Sequence, residues 1–155
     1  RVILADAIGY AKTKKPALMV TIATLTGAAM VALGTRFGGL FVKNKKSLSD
    51  ALCEVSSQSG DALWPLPLTE EFEREVEGNV ADVINTQKSG SRWGGASHGA
   101  AFLSHFAGAE SFAHIDMAPR MTANADEELS KGALGYGVRF FVDLATNWEK
   151  VRNAL

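Results

Sequence analysis

The chain has 155 residues, of which 46% are apolar and 21% charged, and its 16 basic and 17 acidic residues give a net charge of −1. That length suits one compact domain, and that apolar share is enough for a globular core, which excludes a chain disordered throughout. The near-neutral balance carries no nucleic-acid footprint and no polybasic membrane patch, and the single cysteine, Cys53, excludes an internal disulfide and fits a reducing compartment.

The opening stretch "RVILADAIGYAKTKKP" reads as a helix. Ile3, Leu4, Ala7, Ile8 and Ala11 recur at helical spacing, Lys12, Lys14 and Lys15 form a solvated end, and Pro16 stops the pattern. "PALMVTIATL" is rich in Val, Ile and Thr between Pro and Gly, the pattern of a buried strand. "TGAAMVALG" predicts a short helix ending at Gly34. "GGLFVKN" predicts a second strand near an edge. "SLSDALCEVSSQSG" predicts a helix with Ser47 as N-cap and Gly60 as its stop, and Cys53 on its apolar stripe as a buried structural thiol. The longest apolar run, "LMVTIATLTGAAMVALG", is broken by a turn signal and falls short of the roughly 20 continuous apolar residues of a membrane span. No secretory signal pattern is present in the sequence.

"WPLPLTEEFEREVEG" predicts an extended, Pro-rich entry and then an acidic helix starting at Thr69, where Glu70, Glu71 and Glu73 suit the helix N-terminus. "NVADVINTQKSGSRWGG" reads as loop. "GASHGAAFLSHFAG" reads as a helix whose Ala/Gly face allows close approach of a neighbour. "SFAHIDMAP" predicts a third strand, and "GVRFFVDLATNWEKVRNAL" a closing amphipathic helix. Strands alternating with helices predict an α/β fold, a layered, mostly parallel or mixed sheet flanked by helices.

Chemistry is expected where the first strand runs out. In open α/β sheets ligands bind beyond the carboxyl ends of the strands, and the turn Thr24, Leu25, Thr26, Gly27 leads there into a helix whose free N–H groups attract anions. Gly27 lets a ligand or a second backbone approach. The same spacing also fits an ordinary strand-to-helix connection, and both readings stay open. In "HIDMA", His114 and Asp116 share one face of a strand, as a proton relay, a metal pair or a satisfied polar pair would. Ala118 falls just beyond, level with Gly27 if the strands are parallel. His98 and His105 are seven apart on one helix face, about 10 Å along the axis, too far for one metal ion. The sequence has no dense His/Asp/Glu/Cys cluster, no Gly-x-Ser-x-Gly, no P-loop and no Gly-x-Gly-x-x-Gly.

Taken together, "RVILADA", "ATLTGAAMVALG", "WPLPL", "ADVIN", "GAAFLSHF", "HIDMA" and "GALGYGVR" resemble, in family order, the C-terminal part of the leucyl (cytosol) aminopeptidase family, peptidase M17. The resemblance implies that residues 1–155 are the C-terminal portion of that catalytic domain. It implies an enzyme that hydrolyses N-terminal residues, leucine-type, from peptides, using two divalent metal ions (Zn or Mn) and bicarbonate, as a cytoplasmic homohexamer. The family signature is Asn-Thr-Asp-Ala-Glu-Gly-Arg, and only its final residue is present here, as Arg1. The carboxylate and lysine ligands of the two metals lie upstream in the family, so no metal ligand is expected in this chain, and alone it is expected to be inactive. Arg1 matches the catalytic arginine that holds bicarbonate. Leu25 and Gly27 match positions whose backbone contacts the peptide, and Thr24 and Ala118 match walls of the pocket for the first side chain. His114 and Asp116 are taken as structural, and "GALGYGVR" with Arg139 as a loop of tight turns. The sequence departs from the family's Asp-Ile-Ala-Gly at Met117 and Pro119, where Pro119 removes an N–H and fixes φ. Against this enzyme reading stand two others, a non-catalytic anion-binding α/β module and an inactive oligomer scaffold.

Overall fold

Four strands form one sheet: β1 (Met19–Ala23), β2 (Gly38–Val42), β3 (Leu63–Pro65) and β4 (Phe112–Asp116), in the order β1–β4–β2–β3. The structure, a computed structural model, describes residues 1–108, 111–124 and 132–155. Strands β1 and β4 are parallel, β2 and β3 are parallel, and β2 and β4 are antiparallel, so the sheet is mixed. Met19 pairs with Phe112 and Ala23 with Asp116, so β1 and β4 end level with each other.

Seven helices are described: α1 (Val2–Lys12), α2 (Gly27–Leu33), α3 (Lys46–Ser59), α4 (Glu70–Glu75), α5 (Gly95–Ala107), α6 (Val138–Thr146) and α7 (Trp148–Arg152). Side chains alternate across the strands, which divides the core in two. Leu40, Ala113 and Ile115 pack on one face with Leu48, Leu52 and Val55 of α3 and Phe140 and Leu144 of α6. On the other face Met19 and Phe112 meet α1 and α5 through Ala5, Ile8, Phe102 and Leu103. Phe41 joins Ala29 of α2 and Ala100 and Ala101 of α5 there. His114 and Asp116 are in phase with Phe112 and so project toward this second face.

Several sequence expectations change. Strand β2 lies inside the sheet rather than near an edge, because Leu63–Pro65 pairs along its outer side. The edge role passes to β1, whose Val20, Ile22 and Ala23 are only half-buried. In α1 the inward residues are Ala5 and Ile8, with Leu4 and Ala11 packed beside them, whereas Ile3 and Ala7 are exposed. Helix α3 begins at Lys46, one residue before the expected cap, so Ser47 sits in its first turn and donates instead to the Ala154 carbonyl at 3.0 Å. Cys53 is half-buried rather than buried, and that burial pushes its thiol pKa up. The closing helix is two helices, divided at Asn147. The stop at Gly60 stands, in the left-handed conformation with φ 76°.

One buried carboxylate sets the start of α6. Asp61 Oδ2 accepts the N–H groups of Gly137 at 3.0 Å and Phe140 at 3.1 Å, and its Oδ1 accepts from Arg139 Nη2 at 2.8 Å. Those two amides belong to the helix end, which has no intrahelical acceptors for them. Asp61→Ala is expected to leave both amides unsatisfied and to destabilise by about 3 kcal/mol, lowering the melting temperature by about 10 °C. A calorimetric melt of the variant checks this, and a change under about 2 °C would contradict it.

Candidate functional site

The carboxyl ends of β1 and β4 lie side by side, and each strand continues into a tight turn. After β1 come Thr24, Leu25 and Thr26, and then α2, whose first residue is Gly27. After β4 come Met117 and a 3-10 turn, Ala118–Arg120. The ladder extends one step further, with the Met117 N–H donating to the Ala23 carbonyl at 2.8 Å.

Asp116 joins the two turns. It is fully buried. Its Oδ1 accepts from the Leu25 N–H at 3.1 Å and the Ala118 N–H at 3.2 Å, and its Oδ2 accepts from the Thr26 hydroxyl at 2.7 Å. The Thr26 oxygen in turn accepts the Ala29 N–H at 3.1 Å and caps α2. Thr24 and Gly27 are exposed, Leu25 is half-buried and Ala118 is buried. A Cβ built on Gly27 meets nothing within 4 Å, so open space lies beside it. Pro119 sits in the first turn of the 3-10 segment, where its missing N–H would have had no helical acceptor.

Arg1 reaches the same region from the start of α1. Its guanidinium donates to the Asn85 carbonyl. Gly99 of α5 is the meeting point, because a Cβ there would lie 3.1 Å from Leu25 Cδ2, 3.2 Å from Thr26 Cγ2 and 3.5 Å from Arg1 Nε. The small-residue face of α5 is what lets the turn and the arginine approach one helix together. Burial lowers the Arg1 pKa, and the Asp116 carboxylate opposes that shift. The structure therefore brings Arg1, Thr24, Leu25, Gly27 and Ala118 to one end of the sheet.

The three histidines part company. His114 is fully buried beneath this site, with Nδ1 2.9 Å from the Thr21 hydroxyl and its ring stacked on Phe41. Burial first, and then the positive charge of Arg1, push its pKa down to about 3, so the ring is neutral. Its Nε2 has no hydrogen-bond partner among the described residues. His98 is buried and pairs through Nε2 with Glu75, whereas His105, expected on the same face, is exposed near the end of α5. Among the described residues no three His, Cys, Asp or Glu converge as a metal site would require. No described helix is long and apolar enough to cross a membrane.

Next to this turn lies a cleft that no sequence motif marks. It holds about 560 Å³ and is lined by Ala28, Val31 and Ala32 of α2, Leu66, and the Arg92–Ser97 segment at the start of α5. Trp93 is 73% exposed on its rim and Val31 is 90% exposed. A solvent-facing Val on a short helix beside a loop Trp is the one signal that points there. Arg139, expected in a loop of tight turns, lies instead in the first turn of α6 and forms the ion pair with Asp61, while Gly135 and Gly137 supply the positive φ of the turns before it.

Residues 1–142 match the catalytic domain of the cytosol aminopeptidase family, peptidase M17. A probable cytosol aminopeptidase of Rhodopseudomonas palustris (strain TIE-1) is 38% identical over 154 residues, 98% of this chain and 30% of that protein. One from Chlorobaculum parvum is 43% identical over 151 residues, 96% of this chain and 29% of that protein. Among solved structures, a mutant of tomato leucine aminopeptidase superposes with a TM-score of 0.78 at 37% identity, over 90% of this chain and 26% of that one. The chain thus spans about 30% of the length of the curated relatives it matches.

Proposed function

Because this chain belongs to the cytosol aminopeptidase family, we propose that it is the C-terminal portion of the catalytic domain of an aminopeptidase that removes leucine-type N-terminal residues from peptides. The observation that carries this reading is the convergence of Arg1, the Thr24–Gly27 turn and Ala118 at the paired ends of β1 and β4. In this arrangement the Leu25 N–H is taken up by Asp116, which leaves the Leu25 carbonyl to accept from a peptide N–H. Gly27, as the first residue of α2, has an amide without an intrahelical acceptor, which can donate to a peptide carbonyl. These two groups would fix the peptide backbone, while Thr24 and Ala118 would bound the space for its first side chain.

Arg1 suits the task of holding bicarbonate. One donor goes to the Asn85 carbonyl, and the planar fork keeps further N–H groups for a flat anion and stays charged at working pH. Bicarbonate, if held there, would supply a general base beside the bound peptide. The family's two divalent metals do not fit this chain's own side chains, since no metal-ligating group of three forms among the described residues. Their ligands would come from sequence outside residues 1–155. A cytoplasmic location and a homohexameric assembly belong to the same proposal, and rest on the family alone.

The test compares two proteins. The full-length protein with added Mn²⁺ or Zn²⁺ is expected to hydrolyse leucine p-nitroanilide, and the 155-residue chain alone is expected to show no turnover. Activity in the isolated chain would overturn the assignment of the metal ligands to sequence outside it. An inactive full-length protein that still binds amino-acid anions would favour the binding-module reading.

A further inference from the structure

Asp116 is a buried carboxylate to which the proposed chemistry gives no task, yet both turns of the candidate site hang from it. Oδ1 holds the Leu25 and Ala118 amides at 3.1 Å and 3.2 Å, and Oδ2 holds the Thr26 hydroxyl at 2.7 Å. The first bond orients a whole peptide plane. In a trans peptide the N–H of Leu25 and the carbonyl of Thr24 point in opposite directions, so an N–H aimed at Asp116 turns the Thr24 carbonyl away from the carboxylate. The second bond fixes the height of Ala118 against that plane, because one oxygen serves both amides. The third places the capping hydroxyl at the start of α2, and with it the Gly27 amide that follows.

We infer that Asp116 is the positioning residue of this site, the group that sets the distance between the substrate-binding backbone at Thr24–Gly27 and the Ala118 wall. The inference rests on the aminopeptidase reading for its consequence, though the geometry stands without it. An ordinary structural carboxylate would be satisfied from within one turn or one helix. This one is shared between two turns more than 90 residues apart in sequence, both of them carrying proposed substrate contacts. Its charge also acts on Arg1, so it links the substrate-binding and catalytic sides of the site. Asparagine at position 116 would keep the volume but lose the charge, and its amide NH₂ would face either the Thr26 hydroxyl or the two backbone donors.

The experiment is steady-state kinetics of the full-length protein on leucine p-nitroanilide. For Asp116→Asn, KM is expected to rise by about tenfold or more, with kcat changed less than about threefold and bound metal unchanged. Thr26→Val removes one of the three bonds and leaves the carboxylate in place, so it carries the test if Asp116→Asn fails to fold. Its KM is expected to rise by about threefold or more, and Thr26→Ser, which restores the hydroxyl, is expected to return to the parent value. A KM within about twofold of the parent in every variant, or a loss confined to kcat and metal content, would overturn the inference. If the parent protein itself has no peptidase activity, the aminopeptidase reading fails separately. Hydrogen exchange then reads the geometry directly: the Leu25 and Ala118 amides are expected to exchange about tenfold faster in Asp116→Asn, and unchanged exchange would refute the positioning role.

Discussion

Replacing Arg1 with alanine in the full-length protein is expected to lower kcat by about 100-fold, with KM and metal content little changed. The magnitude is that of removing one pre-aimed charged donor from a site where charge moves in the transition state. The arginine is held on two sides, by the Asn85 carbonyl and by the bare backbone of Gly99, with Asp116 as the opposing charge. Its guanidinium is therefore already placed before any ligand arrives, and its loss removes positioning as well as charge. Arg1→Lys keeps the charge but not the fork, and is expected to recover only a small part of the rate. Turnover and metal analysis on the same samples check this. Loss of metal in parallel with activity would instead assign Arg1 to holding the metal-binding segment in place. The contrast with Asp116 is diagnostic, since one variant moves kcat and the other KM.

Acid is expected to unfold the domain through His114. In the folded chain its ring stays neutral down to about pH 3, because burial and the charge of Arg1 oppose protonation. In the unfolded chain an ordinary histidine takes up its proton near pH 6.5. Between those two values the unfolded state binds more protons, so stability falls as pH falls. The stabilisation is fully present above about pH 6.5, and by pH 3 up to about 5 kcal/mol is lost. The charged group that bears on the ring is Arg1, at the start of α1. Urea unfolding at pH 7, 6, 5 and 4 measures the slope. His114→Gln, which cannot be protonated, is expected to flatten it, and equal slopes in the two proteins would contradict the assignment. The difference between the two slopes isolates this one ring.

Much of the fold could be read from the sequence because periodicity and punctuation are local. Gly60 ends α3 as a left-handed residue, and Gly34 follows the last residue of α2, because those signals act within a turn of their own position. What local pattern cannot report is who pairs with whom. "GGLFVKN" and "PALMVTIATL" look alike as apolar strands, and only the pairing of β2 with Leu63–Pro65 makes the first interior and leaves the second on the edge. Ser47 looked like a cap, but Lys46 already enters the helix and a distant carbonyl claims the hydroxyl. The turn at Thr24–Gly27 was readable as a strand-to-helix turn at the carboxyl end of β1. Its anchoring by Asp116, and the arrival of Arg1 across Gly99, were not, since each joins residues from opposite ends of the chain. The same holds for Asp61 and α6, whose hydrogen bonds span 76 and 79 residues.

The strand order has a consequence for how the protein is made. Strand β4 is the last of the four in sequence, and it lies between β1 and β2. During synthesis β2, α3 and β3 can close early as a local parallel unit, but β1 has no partner until residues 112–116 leave the ribosome. Pairings of such large sequence separation form slowly, because the intervening loop must be closed first. Asp116 is the final residue of that late strand, so the event that zips the sheet is also the event that draws the two turns together. A nascent chain stalled before it would carry every residue of the first turn and still lack the second.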